Sequence, residues 1–165
     1  MVIFHYPFFF LSDTNKFFLG CDGNYYYYPG TYRTYDDAKF DCLSEGASLT
    51  SINRRKTQEF LRENYGGITN MWLSANALKG DGVFRWEYAD GSTQNISDET
   101  SNWKRKPAKN TRSYCVRVEN GDKWVNMYCT HNSYILCQIP NPEMNKGMLN
   151  VLTSKKWLDC VTAAR

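Results

Sequence analysis

Six cysteines limit the folds open to this chain more than any other part of its sequence. An even number suits disulfide pairing, and no two of them form a Cys-x-x-Cys pair. The only histidines are His5 and His131, which leaves little material for a zinc site. We therefore expect disulfides rather than buried free thiols, and an oxidising, extracellular location reached by secretion. The cysteines are Cys21, Cys42, Cys115, Cys129, Cys137 and Cys160.

Composition indicates one globular domain. The chain has 165 residues, which is long enough for one core and short for two. Aromatic residues make up 16% and charged residues only 22%, so disorder throughout is excluded. A net charge of +3 is too small to imply nucleic acid as a partner.

The two ends of the sequence differ from its middle. Met1 to Leu11 is apolar but interrupted by His5 and Pro7, so it resembles a degenerate signal peptide or a poorly ordered start. It is too short to span a bilayer, and no later segment is apolar for long enough, so we expect no membrane span. The predicted organisation is a signal-like segment at 1–21, a compact domain at 22–140 and a tail at 141–165.

Helical patterns occur early in the chain. Thr34 is a suitable cap for a helix that carries Tyr35, Ala38 and Cys42 on one face and ends at Gly46. Asn53 is a suitable cap for a second helix over 54–65, which ends at the glycine pair 66–67.

Strand patterns follow the helices. We predict strands at 71–74, 83–88, 114–118, 123–125 and 134–139, with a type I′ hairpin at Asn120-Gly121. Between them, 89–112 reads as a long irregular loop, a length that is usually functional or disordered. Two helices that flank short antiparallel sheets with such a loop indicate an α+β domain.

A series of motifs in order resembles the C-type lectin-like domain family, as a secreted, single-domain member of the invertebrate type. The resemblance implies the C-type lectin-like fold and a recognition module. Trp72-Leu73-Ser74-Ala75 is similar to the family's Trp-Ile-Gly-Leu signature, although Ser74 and Ala75 depart from it. The other motifs are Tyr35-x-x-Ala38-x-x-x-Cys42, Gly46-Ala47-Ser48-Leu49, Phe84-Arg85-Trp86, Asp90-Gly91, Asn102-Trp103, Cys115-Val116-Arg117-Val118, Trp124, Cys129 and Tyr134-Ile135-Leu136-Cys137.

The resemblance also implies two disulfides, Cys42 to Cys137 and Cys115 to Cys129. In the chain-entropy model, loops of these lengths stabilise the fold by about 4.7 and about 3 kcal/mol. Cys21 and Cys160 are left over. They are consistent with a bridge to each other, with two free thiols, or with an interchain bond in a disulfide-linked dimer.

Sugar-binding members of the family hold Ca²⁺ with a Glu-Pro-Asn motif, a carboxylate before the third conserved cysteine and Trp-Asn-Asp. Alignment on Pro107 places Lys106 and Ala108 where the glutamate and asparagine would be, and Ser113 near the carboxylate position. Only Asn126 is a fair ligand, and Ca²⁺ takes about six to eight oxygens. We expect no cofactor, and Ca²⁺ is not expected at the family's sugar site. A calcium-dependent lectin remains the alternative if the loop register differs, with Glu87, Asp90, Asp98 or Glu99 serving another calcium position.

Basic side chains fill this part of the loop instead, and no acid interrupts them. One interpretation is a solvated loop kept soluble by its charges. The functional hypothesis is a ligand site for a glycan or another acidic or sulfated polyanion, since arginine binds such groups through paired hydrogen bonds. A protein-binding or structural domain without sugar binding, and a defence protein that binds lipopolysaccharide or membranes, are the alternatives. The basic residues are Lys104, Arg105, Lys106, Lys109 and Arg112.

Two further patterns concern modification and catalysis. Asn95-Ile96-Ser97 is a glycosylation sequon in the long loop. His131 is the one histidine inside the predicted domain, and Cys129 beside it is expected in a disulfide, where it has no reactive thiolate. We therefore predict that the chain is not an enzyme.

Overall fold

The computed structural model describes residues 16–110, 112 and 114–140. Cys160, Ser113, the predicted tail at 141–165 and most of the predicted segment at 1–21 lie outside these residues. The helices are α1 (Tyr35–Ser44) and α2 (Arg55–Tyr65). The strands are β1 (Phe18–Leu19), β2 (Tyr25–Tyr27), β3 (Tyr32–Arg33), β4 (Ser48–Leu49), β5 (Asn70–Asn76), β6 (Arg85–Glu87), β7 (Thr93–Asn95), β8 (Cys115–Glu119), β9 (Lys123–Met127), β10 (Ser133–Tyr134) and β11 (Cys137–Ile139).

The first helix begins and ends as its sequence predicts. The side chain of Thr34 accepts a hydrogen bond from the backbone N–H of Asp37. At the other end, the N–H of Ala47 reaches the carbonyl of Cys42, and Gly46 adopts a φ of 70°. This is a Schellman motif, which needs a residue that tolerates positive φ after the last turn.

The N-cap of the second helix is not the predicted residue, Asn53. Its N-cap is Arg54, which makes no side-chain capping bond. The side-chain amide of Asn53 instead donates to the hydroxyl of Tyr88, so the predicted cap takes part in a tertiary contact. Phe60 and Leu61 on this helix are buried in the core.

The strands form two sheets. One has the order β1-β2-β11-β4, and the other has β3-β10-β5-β6-β7, with β8 paired to β5 and β9 paired to β8. The single strand predicted at 134–139 is two strands, one in each sheet. The pairing of β10 with β5 is parallel, so the second sheet is mixed rather than purely antiparallel.

Strand pairing is present in two places where the sequence predicts none. Phe18 pairs with Tyr26, so the first sheet begins before residue 22. The predicted irregular loop contains β7, which pairs with β6, and an isolated bridge between Trp103 and Trp124.

Two disulfides join distant parts of the domain. Cys42 on α1 is bonded to Cys137 on β11, across a separation of 95 residues. Cys115 on β8 is bonded to Cys129, across 14 residues. These are the two bridges that the resemblance implies. Cys21 is also disulfide-bonded, whereas Cys160, its counterpart in one of the three alternatives, lies outside the described residues.

Candidate ligand-binding loop

Aromatic side chains anchor the base of the long loop. Trp103 contacts the rings of both Phe84 and Trp124, with centroid distances of 5.3 and 5.6 Å. Trp86 packs against Trp124 at 5.2 Å, and both of these are buried. The tryptophans therefore pack in or against the core rather than forming an exposed stacking platform.

Backbone contacts fix the path of the loop next to these rings. The N–H of Lys104 donates to the carbonyl of Trp124, and the N–H of Trp124 donates to that of Asn102. Further along, the carbonyl of Lys109 lies so close to Gly82 that an added Cβ there would be 2.4 Å away. The basic segment, which begins at Lys104 and ends at Arg112, is therefore hydrogen-bonded to β9 at Lys104 and passes close to Gly82 at Lys109.

The five predicted basic residues are not equivalent in the structure. Lys104 Nζ lies 3.0 Å from Glu119 Oε2, and Lys106 Nζ lies 3.0 Å from Asp98 Oδ1. Two of the five cations thus have carboxylate partners, because acids outside the segment fold against it. Arg105, Lys109 and Arg112 are exposed and make no ion pair with any residue that the structure describes.

Glu119 is the best-held of the two acidic partners. Burial alone would raise the pKa of its carboxyl, but hydrogen bonds and charges from Lys104 and Arg117 outweigh that effect. The net pKa is lowered, so Glu119 is an anion at neutral pH and stays paired with Lys104. Sequence reasoning missed this residue because only the pairing of β8 with β9 and the loop path bring it to Lys104.

Lys106, which the sequence alignment places at an anionic calcium ligand of the family, has a carboxylate partner in the structure. That partner is Asp98, one of the alternative calcium ligands, whose carboxylate oxygen lies 3.0 Å from Lys106 Nζ. Two unit charges 4 Å apart interact by about 4 kcal/mol in a partly solvated setting, so an ammonium at a calcium-ligand position would oppose a divalent cation. Asn126 lies on β9 opposite Val116 and is partly buried.

Two of the other alternative calcium ligands, Glu87 and Asp90, have hydrogen-bond partners in the structure. Glu87 bonds to Lys39 and to the side-chain amide of Asn76. Asp90 accepts from the N–H of Ser92 within a turn. Within the described part of the chain, no group of three or more His, Cys, Asp or Glu side chains is placed to hold a metal ion.

The remaining predicted sites lie on the surface. Asn95, in the sequon, is exposed at the end of β7. His131 is exposed in the turn after Cys129, beside the ring of Tyr128. None of the helices that the structure describes is both long and apolar enough to cross a membrane.

Comparisons with known proteins agree with this architecture. Residues 31–139 match the family described as "Lectin C-type domain". The human protein "C-type lectin domain family 17, member A" is 25% identical over 118 residues, 71% of this chain and 30% of that protein. The first curated relatives are much longer, and the match covers between 22% and 36% of their lengths.

Solved structures show the same fold. The mouse scavenger receptor C-type lectin carbohydrate-recognition domain superposes with a TM-score of 0.63 at 21% identity, covering 78% of this chain and 97% of that one. A calcium-independent type II antifreeze protein superposes with a TM-score of 0.62 at 19% identity, covering 78% and 95%. The sequence match over most of the domain, together with this fold, shows that the chain belongs to the C-type lectin domain family.

Proposed function

We propose that this chain is a non-catalytic, extracellular recognition module that binds acidic glycans or similar polyanions without calcium. C-type lectin domains are in general binding modules rather than enzymes. The observation that carries the proposal is that Arg105, Lys109 and Arg112 are exposed and make no ion pair within the described residues, on a segment hydrogen-bonded to β9 at Lys104.

The guanidinium groups suit sulfate and carboxylate. Arginine offers parallel N–H donors that match two oxygens of such a group, and it stays charged at any physiological pH. Arg105 and Arg112 flank Lys109 along the segment, so a chain of repeated anions can meet more than one cation. Lys104 and Lys106 contribute less to binding, since each already has a carboxylate partner.

Calcium independence is supported by the donor set at the family's site. Lys106 and Ala108 supply neither of the oxygens expected on either side of Pro107. Asn126 alone cannot meet the need of Ca²⁺ for about six to eight oxygen ligands. A lectin with this loop would therefore keep its ligand in the presence of a chelator.

Secretion and glycosylation complete the proposal. The two described disulfides suit an oxidising compartment. Asn95 is exposed, which the modification requires, and its sequon lies beside the basic segment in sequence. A role in defence against microbes, through acidic surface glycans, follows from the same ligand class.

Retention on heparin-agarose in EDTA tests the proposal. We expect the wild-type protein to bind at low salt and to elute as salt rises, because salt screens the attraction. Replacing Arg105, Lys109 and Arg112 together by Ala should move elution to clearly lower salt. The matched control replaces Lys56, Arg62 and Lys79, three exposed cations outside the segment, and removes the same net charge. If both triple variants lowered the elution salt equally, binding would depend only on net charge, and the proposal would be overturned.

One observation favours protein recognition as a second candidate. Phe40 is 71% exposed on α1, and Leu43 one turn later is 39% exposed. Neighbouring apolar side chains on a helix suit contact with an apolar surface of a partner protein. A protein ligand of this face would be unaffected by the triple variant of the basic segment, and its binding would fall on replacement of Phe40 by Ser.

A further inference from the structure

A groove separates the start of α2 from the long loop. It has a volume of about 380 Å³ and is lined by Arg55, Gln58, Glu99, Thr100, Ser101 and Asn102. Small-molecule sites commonly have volumes of roughly 300–1,000 Å³. Every residue that lines this groove is polar, and none carries an aromatic ring.

The floor of the groove is fixed by hydrogen bonds. The side chain of Gln58 donates to the carbonyl of Gly121 and accepts from Trp124 Nε1, both at 2.7 Å. Asn102 donates to the backbone carbonyl of Asp122 at 2.8 Å and to its carboxylate at 2.9 Å. These bonds attach both sides of the groove to the turn between β8 and β9, so its shape exists before a ligand enters.

The walls, in contrast, carry unused charges. Arg55 and Glu99 are exposed, and neither side chain is paired with the other or with any other residue that the structure describes. Thr100 and Ser101 each donate their hydroxyl hydrogen to a backbone carbonyl, so both hydroxyl oxygens remain acceptors. The groove thus presents one strong cationic donor and, on the loop side, a carboxylate with two acceptor oxygens beside it.

From this arrangement we infer that the groove binds a small zwitterion, a molecule with a phosphate or carboxylate and a primary ammonium group on a short spacer. The anionic group pairs with the Arg55 guanidinium through parallel hydrogen bonds. The ammonium has three donors to satisfy, and Glu99, Thr100 and Ser101 offer acceptors for them. A quaternary ammonium fits less well because it has no N–H donor and is usually held by aromatic rings, which this groove lacks.

This site is independent of the polyanion site in the basic segment. A cation and an anion line the groove together, so their charges cancel and a purely anionic ligand gains little there. The test therefore uses the variant in which Arg105, Lys109 and Arg112 are Ala, which removes competing phosphate contacts on the basic segment. The outcome for the groove then does not depend on the outcome for heparin.

Amide chemical shifts during titration with O-phosphoethanolamine provide the measurement. We expect shifts at Arg55 and at residues 99–102, with ethanolamine, inorganic phosphate and phosphocholine each binding at least about tenfold more weakly. Arg55→Ala and Glu99→Gln should each reduce the affinity for O-phosphoethanolamine by about tenfold or more. Arg62→Ala, an exposed arginine on the same helix outside the groove, should leave it unchanged.

Phosphate alone binding as tightly as the zwitterion, or shifts that persist in both Arg55→Ala and Glu99→Gln, would overturn the inference. Thermal unfolding of each variant checks that the fold is intact. Sedimentation with vesicles of phosphatidylethanolamine and phosphatidylcholine, compared with phosphatidylcholine alone, identifies the source of the ligand. Arg55-dependent sedimentation assigns a lipid headgroup, and its absence beside a positive titration assigns a free molecule.

Discussion

The phenolic hydroxyl of Tyr26 donates a 2.6 Å hydrogen bond to the buried carboxylate of Asp22. The same carboxylate accepts from the hydroxyl of Thr57 at 2.7 Å and from the side chain and backbone N–H of Asn24. Burial raises the pKa of Tyr26 well above its ordinary value, and the charge of Asp22 and this hydrogen bond raise it further. The cluster joins the first sheet to α2 through polar contacts inside the domain.

Asp22→Asn should destabilise the fold by about 1–3 kcal/mol. The amide has one acceptor oxygen for the donors around it, and its NH₂ group would face one of those donors. Urea denaturation measures the change in the free energy of unfolding. Asp41→Asn, at a partly exposed carboxylate paired with Arg33 at 3.6 Å, is the matched control and should change it by less than about 0.5 kcal/mol. Equal effects of the two variants would contradict the assigned role of Asp22.

Gly121 occupies the most constrained position in the β8–β9 turn. Its φ is 65°, and a Cβ there would lie 2.5 Å from the carbonyl oxygen of Leu61 on α2. The turn therefore packs against the helix only because this residue has no side chain.

Gly121→Ala should cost more than the roughly 1–2 kcal/mol of left-handed strain alone, because backbone atoms cannot move aside as a flexible side chain can. Gly46→Ala isolates the strain, since Gly46 has a φ of 70° and open space around it. Gly67→Ala has open space without positive φ and should be nearly neutral. Thermal unfolding of the three variants should give this order, and a Gly121→Ala protein as stable as Gly46→Ala would show that the contact with Leu61 is unimportant.

Local sequence signals predicted much of this fold. Thr34, Gly46 and Asn120-Gly121 each act within a few residues, and each performs the predicted role in the structure. Asn53 satisfies the same local rule as Thr34 but bonds to Tyr88, which comes 35 residues later. The side chain of Asn53 therefore bonds to a distant residue instead of capping the helix, and a local sequence pattern cannot reveal such a partner.

The candidate site shows the same division between local and distant effects. The cluster of basic residues is visible in the sequence, but its effective charge is not, because Glu119 and Asp98 approach it only after folding. The groove lined by Arg55 and Glu99 left no sequence signal, since β5, β6 and β7 all lie between its two walls in the sequence.

Glu119→Gln should strengthen binding to heparin by releasing Lys104 from its carboxylate partner. The expected result is elution at higher salt, the opposite of the effect of removing cations. Glu63→Gln changes the net charge by the same amount at an exposed position on α2 and serves as the control. A shift no larger than that of the control would mean that Lys104 does not contribute to the binding surface.

The ion pair between Lys104 and Glu119 should make heparin retention depend on pH. Because the pKa of Glu119 is lowered in the folded protein, its contribution to stability is present above the ordinary glutamate range and is lost as pH falls through the lowered pKa. Retention of the wild type should therefore approach that of Glu119→Gln only in acid. Near neutral pH the difference in heparin retention between the wild type and Glu119→Gln should not change with pH. Retention of both proteins measured in steps from pH 7 downward checks this.

Calcium should leave the thermal stability of the protein unchanged. A ligand that binds only the native state raises the melting temperature as its concentration increases, so a bound Ca²⁺ would be detected without knowledge of any saccharide. On the sequence alignment, Lys106 and Ala108 replace two residues that supply oxygen ligands in the family, and Lys106 forms an ion pair with Asp98. Unfolding measured across a calcium series, with magnesium as the control cation, should give superimposable curves. A calcium-specific rise that EDTA reverses would contradict this, and its loss in Asp98→Asn would place the ion beside that carboxylate.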